Sequence, residues 1–250
     1  MNAAKLEAFA DLEDASLRAS SLTARVCRMA MREKGRFAIA LSGGSTPGRY
    51  FELLAEEDLP WVYGHVFWAD ERLVPPDSPD SNYRLARERL LSRVPIPEAN
   101  IHPMRGDASG ADQAARAYEA GLRSFFGDAP PEFDALHLGL GGDGHTASLF
   151  PGQPALEERE RWVVPVEYAG ASPPVPRLTL TLPVINAARL ALFLVNGKDK
   201  AALAREIVEG RGEGCPAALV RPRLTPVWLA GGAAPSGGRR PLGLLDPRGA

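Results

Sequence analysis

Arg36–Glu57, RFAIALSGGSTPGRYFELLAEE, is the stretch whose reading decides the fold. RFAIAL is a short apolar run, as a buried strand should be. Pro47–Glu57 carries helical periodicity. Between them Ser42–Thr46 holds two glycines and three hydroxyls. Thr46 is expected to cap the helix, with Pro47 in its first turn. Strand, tight loop and helix in this order form one half of a βαβ unit.

The pattern repeats along the chain. Apolar runs at His65–Ala69, Phe133–Gly139, Trp162–Val166, Leu190–Val195 and Val227–Ala230 read as strands. Ser16–Lys34, Asn82–Ser92, Ala111–Phe126 and Lys200–Glu209 read as helices, the first with Leu17, Leu22, Val26 and Met29/Ala30 on one side. Arg177–Leu182, RLTLTL, alternates strictly, which predicts a strand with one solvated face. Strands separated by helices predict an α/β protein: a doubly wound, mostly parallel, Rossmann-like sheet with helices on both faces. The chain reads as one domain over 1–250, with 231–250 as a flexible tail rich in Gly, Pro and Arg.

Composition narrows the function. The 250 residues are 45% apolar and 24% charged, with a net charge of −2. That balance provides no global positive field for nucleic acid or an anionic membrane. No run approaches the ~20 apolar residues of a membrane span. Met1–Asp14 lacks the layout of a signal peptide. Cys27 and Cys215 lie far apart, which excludes a disulfide framework and a cysteine zinc site. The expectation is a reduced cytoplasmic protein, a monomer or small homo-oligomer, without cofactor, nucleic-acid partner or membrane partner.

Doubly wound sheets bind ligands at the carboxyl ends of their strands. In Ser42-Gly43-Gly44-Ser45-Thr46, glycines turn backbone N–H groups outward and the following helix adds positive potential, which suits a phosphate. It is not a Walker A loop, because no GK[ST] follows. WADERLVP at 68–75 offers Asp70, Glu71 and Arg72. Arg72 suits a bidentate anion, and the plain alternative is a local ion pair. GLGGDGHTASLFP at 139–151 contains GxGxxG, and Glu167 stands where a ribose-binding acid belongs. Pro151, Gly152 and Pro154 nonetheless interrupt the helix a dinucleotide site needs. The better reading is a loop presenting Asp143 and His145, the first orienting the second as a general base. His137, His65 and His102 read as strand or packing residues. Arg177 and Lys198 or Lys200 are supporting cations. One histidine beside Asp70 and Asp143 makes a poor metal site, so none is expected. No GxSxG accompanies Ser42.

Together LSGGSTP at 41–47, WADERLVP at 68–75, DSPDSNYR at 77–84, GLGGDGHTASLFP at 139–151, PRLTLTLPVIN at 176–186 and GKDKA at 197–201 resemble the 6-phosphogluconolactonase family, which shares its fold with glucosamine-6-phosphate deaminase. The resemblance runs from Arg36 to about Trp228. It implies hydrolysis of 6-phosphogluconolactone in the oxidative pentose phosphate pathway. His145 would activate water, and Ser42–Thr46, Arg72, Arg177 and Lys200 would hold the phosphate or nearby oxygens. Lys200 fits the family's GxxK better than Lys198. Deaminases carry a loop like DGHIAFNEP, and here Phe150 stands in place of its Glu, while DER replaces DEY. VWLAGGAA at 227–234 lacks an Asp often found after that strand, and a lost helix cap is expected there. The alternatives are a deaminase-like isomerase and a non-catalytic sugar-phosphate binder.

Overall fold

The computed structural model of the chain describes residues 4–105 and 110–233. In chain order these residues form β1 (Lys5–Ala8), α1 (Leu12–Lys34), β2 (Phe37–Leu41), α2 (Gly48–Glu56), β3 (Gly64–Trp68), β4 (Asp70–Arg72), α3 (Asn82–Arg89), β5 (Ile101–His102), α4 (Ala111–Phe126), β6 (Ala135–Leu138), β7 (Val163–Val166), β8 (Arg177–Leu180), α5 (Leu182–Ala187), β9 (Leu190–Asn196), α6 (Lys198–Val208) and β10 (Val227–Gly231).

Seven strands make one sheet in the order β1-β10-β9-β6-β2-β3-β5. Every pair in it is parallel. β9 is buried at six consecutive residues, so helices and loops cover both faces of the sheet. Phe193 and Trp228, paired across β9 and β10, stack with centroids 3.8 Å apart. This is the expected doubly wound class.

The chain leaves the large sheet at Ala69. Its N–H donates to Leu41 O while its carbonyl accepts from Leu180 N, both at 2.8 Å. One residue therefore ties the parallel sheet to a second, three-stranded antiparallel sheet, β4-β8-β7. The sequence reading did not foresee this sheet, because DER is too short and too charged to read as a strand.

Four further differences have plain causes. RLTLTL has no solvated face: β8 is central in the small sheet, and Thr179 and Thr181 are buried with hydroxyls bonded to Leu180 O and Arg161 O. α1 begins earlier than expected, at Leu12, where the Asp11 carboxylate accepts from Asp14 N. Its buried face is Ala15, Ala19, Thr23, Val26, Cys27 and Ala30, while Leu17 is exposed. Small side chains let the helix approach the sheet closely. Lys5–Ala8, for which the sequence suggested no strand, is the edge strand β1. Beyond Gly231 the expected flexible tail falls mostly on residues 234–250, outside the described residues. Gly231 itself lies so close to α1 that a Cβ would stand 2.7 Å from Asp11 O.

Candidate active site

Ser42–Thr46 links β2 to α2 across the carboxyl end of the large sheet. The helix starts one residue later than expected: Pro47, not Thr46, is the N-cap, and no side chain caps it. The first N–H groups of α2 are thus left without a capping side chain. Ser42 is buried, and its Oγ has no hydrogen-bond partner. Gly43 is required sterically, because its Cβ would lie 1.9 Å from Asn82 Oδ1.

The small sheet supplies the cations. Arg72 on β4 and Arg177 on β8 are directly opposed in register. Like charges in that position repel. Arg72 donates to Asp80 O, and Arg177 donates to Ser172 O and Pro173 O. Each keeps a buried Nε with no partner. Burial, with the neighbouring Arg72 charge, holds Arg177 below its ordinary value. Glu71 faces the other way. Its carboxylate accepts from the backbone N–H groups of Arg72, Asn82 and Tyr83 and from Ser81 Oγ, which fixes the start of α3. Burial pushes its carboxyl up to about 7 against those donors. Asp70, 4% exposed, is a brace: Oδ2 accepts from Ser148 Oγ at 2.8 Å, and its carbonyl accepts from Asn82 Nδ2 at 2.8 Å.

No helix follows Gly144, as expected. Residues 141–149 form a knot of turns closed by Gly141 N–H to His145 O at 2.9 Å and Leu149 N–H to Thr146 O at 2.9 Å. Ala147 sits at φ 48°, an uncommon conformation for a residue with a side chain. Ser148 pins the knot through Asp70 and through its N–H to Thr179 Oγ1 at 3.2 Å. Within the knot His145 Nδ1 lies 2.6 Å from Asp143 Oδ1. Burial disfavours the Asp143 charge, but the His145 N–H and ring outweigh it and hold the carboxyl below its usual range. Gly141 makes the pair possible: a Cβ there would lie 2.1 Å from His145 Nδ1. Phe150 packs on the His145 ring at 4.5 Å between centroids.

These parts enclose a hollow of about 390 Å³. Ser42, Gly43, Gly44, Ser45, Thr46, Asp70, Arg72, His145, Arg177 and Lys200 all line it. Asp143 stands behind His145. Two lining residues escaped the sequence reading. Asn82, 2% exposed, holds Oδ1 unpartnered beside Gly43, and only the tertiary approach of α3 to the glycine loop puts it there. His137, read as a strand residue, lines the same wall. His65 and His102 lie away from the pocket and meet each other, Nδ1 to Nε2, at 3.2 Å. Among the described residues no group of three or more His, Cys, Asp or Glu is placed to hold a metal, and no helix is long and apolar enough to cross a membrane.

A doubly wound parallel sheet with a polar pocket at its strand ends and a His–Asp pair in the wall defines the class, an α/β enzyme. A family model described as "Glucosamine-6-phosphate isomerases/6-phosphogluconolactonase" matches residues 10–228, and the chain belongs to that family. The 6-phosphogluconolactonase of Synechocystis sp. is 46% identical over 213 residues, covering 83% of this chain and 87% of that protein. The human 6-phosphogluconolactonase is 44% identical over 199 residues, 76% of this chain and 75% of its own. The crystal structure of 6-phosphogluconolactonase from Thermotoga maritima matches with a TM-score of 0.80 at 34% identity, covering 91% of this chain and 99% of that one.

Proposed function

We propose that this chain hydrolyses 6-phospho-D-glucono-1,5-lactone to 6-phospho-D-gluconate, the second step of the oxidative pentose phosphate pathway, with His145 as general base. The observation that carries the reading is the opposed Arg72–Arg177 pair, whose unpartnered Nε atoms share a pocket with the His145–Asp143 pair. Two adjacent guanidiniums are an arrangement that an anion relieves. The uncapped α2 N-terminus, the Ser42–Thr46 donors and Lys200 extend that positive field.

In the mechanism, Asp143 accepts from Nδ1–H and leaves Nε2 unprotonated. Nε2 takes a proton from water as the water oxygen attacks the lactone carbonyl. The tetrahedral intermediate collapses, the bond from C1 to the ring oxygen breaks, and the imidazolium returns its proton to that oxygen. The products are a carboxylic acid, ionised at neutral pH, and a free hydroxyl. No cofactor enters the balance.

The same wall argues against the deaminase chemistry of the family. Phe150, 2% exposed and packed at a tilt against His145, offers no group to relay a proton for ring opening. The test is proton release from freshly prepared 6-phosphogluconolactone, measured against the spontaneous rate. An enzyme-catalysed rate is expected. A rate equal to the spontaneous one would leave a sugar-phosphate binder.

A further inference from the structure

One buried titratable group in the pocket wall has no part in the mechanism above. His137, on β6, is 3% exposed, and its ring nitrogens make no hydrogen bond of ordinary geometry, the contact with the Ser42 backbone being a loose one. The register Ala40↔Leu136 brings it alongside the end of β2, and its ring approaches the Ser42 backbone. Tyr50 and Phe51 of α2 hold the ring, with centroids at 5.2 and 5.9 Å. The Tyr50 hydroxyl cannot serve it, being engaged with Thr23 Oγ1 at 2.9 Å. Buried polar groups are ordinarily partnered. A buried ring so loosely partnered, in a wall that also holds the bare Ser42 Oγ, leaves a nitrogen for a ligand atom.

We propose that His137 is a proton-linked recognition residue for the phosphate: neutral in the free protein, it takes up one solvent proton as the phosphate dianion binds, and the imidazolium stabilises that dianion. The proposal rests on the phosphate reading of the pocket. The groups around the ring set the direction. From α2 comes Tyr50; across the pocket stand Lys200 of α6, Arg72 and Asp70 of β4, Arg177 of β8 and His145. The Ser42 turn, and Leu194 and Val195 of β9, bring no charge, and from α1 the Thr23 hydroxyl and Cys27 lie behind Tyr50. Asp70 is the one carboxylate in this set, and Ser148 already donates to it. Burial holds the free imidazole at about 4, so it is neutral at pH 7. A dianion reverses the sign of the local field and favours the charged ring. No bond of the sugar changes in this step.

Calorimetric titration with 6-phosphogluconate at pH 7.5, in two buffers of different ionisation enthalpy, counts the protons. Wild type should take up more than His137→Phe or His137→Gln, by up to one per ligand. The variants should bind about tenfold more weakly, as expected for a lost charge-assisted contact. The ratio of wild-type to variant affinity should grow as pH falls from 8 to 7, because the contribution of the ligand's own phosphate cancels in that ratio. In wild type alone, ¹⁵N spectra of the four histidines should show one buried ring pass from neutral to imidazolium on binding. Equal uptake and affinity in folded variants, or four unchanged rings in wild type, overturn this role and leave the phosphate site standing. Failure of wild type to bind 6-phosphogluconate overturns both.

Discussion

His145 is held by a single carboxylate contact, Asp143 Oδ1 at 2.6 Å, and by Phe150 against its ring face. General-base catalysis is worth about 100-fold to 10,000-fold, so His145→Ala is expected to lower kcat by that order. Asp143→Asn should lose less, because the base remains and only its tautomer and aim suffer. Steady-state kcat on variants checked by circular dichroism decides it, and a folded His145→Ala enzyme at near-full kcat removes His145 from the role. Arg72 is the second residue to test. A hydrogen bond to a charged group is worth about 1.5–3 kcal/mol, so Arg72→Ala should reduce kcat/KM by roughly tenfold to a hundredfold. The lactone without its phosphate should be a correspondingly poor substrate, and equal turnover of both lactones rules the arginine pair out as a phosphate site.

At the scale of elements, the loop after β6 depends on one missing side chain. A Cβ on Gly141 would lie 2.1 Å from His145 Nδ1 and 2.6 Å from Asp143 Oδ1. Gly141→Ala should therefore break the pair, with a kcat loss at least as large as that of Asp143→Asn. Overpacking of this kind destabilises by about 1–3 kcal/mol, readable as a lower Tm. Wild-type kcat in the Gly141→Ala variant would mean that the loop relaxes freely. The edge strand β5 carries a different liability. His65 of β3 and His102 of β5 share one hydrogen bond, and burial lowers both, His102 to about 4. Between pH 6.5 and 4 the unfolded chain binds protons that the folded pair refuses, so stability is full above 6.5 and falls as pH drops toward 4. Discounted for solvent exposure, a loss of about 1 kcal/mol corresponds to a Tm decrease of about 2–4 °C. Melting curves across that range should steepen with acid in wild type and flatten in His102→Phe. Parallel curves for the two proteins would clear the pair of any part in acid sensitivity.

For the whole molecule, the site draws on both sheets and on no cluster of metal ligands among the described residues. Dialysis against EDTA is expected to leave the lactonase rate unchanged. A large loss restored by zinc or magnesium would replace the single-base mechanism with a metal-assisted one.

The sequence by itself determined the doubly wound class, because strand, glycine turn and helix are local patterns with periods of 2 and 3.6. It also placed Ser42–Thr46, Arg72, Asp143, His145, Arg177 and Lys200 at element ends, where such folds bind ligands. A two-residue spacing in a glycine loop sufficed to pair Asp143 with His145. Only the tertiary structure decided what depends on segments far apart in the chain. The antiparallel sheet exists because β4, three charged residues, finds β8 more than a hundred positions later. That pairing sets Arg72 opposite Arg177 and buries both faces of RLTLTL, which alternation alone assigns half to water. The approach of α3 sets Asn82 against Gly43, and β6 beside β2 carries His137 to the pocket wall. Periodicity reports how one element meets its surroundings. Which side chains converge is set by non-local packing, for which the local pattern holds no signal.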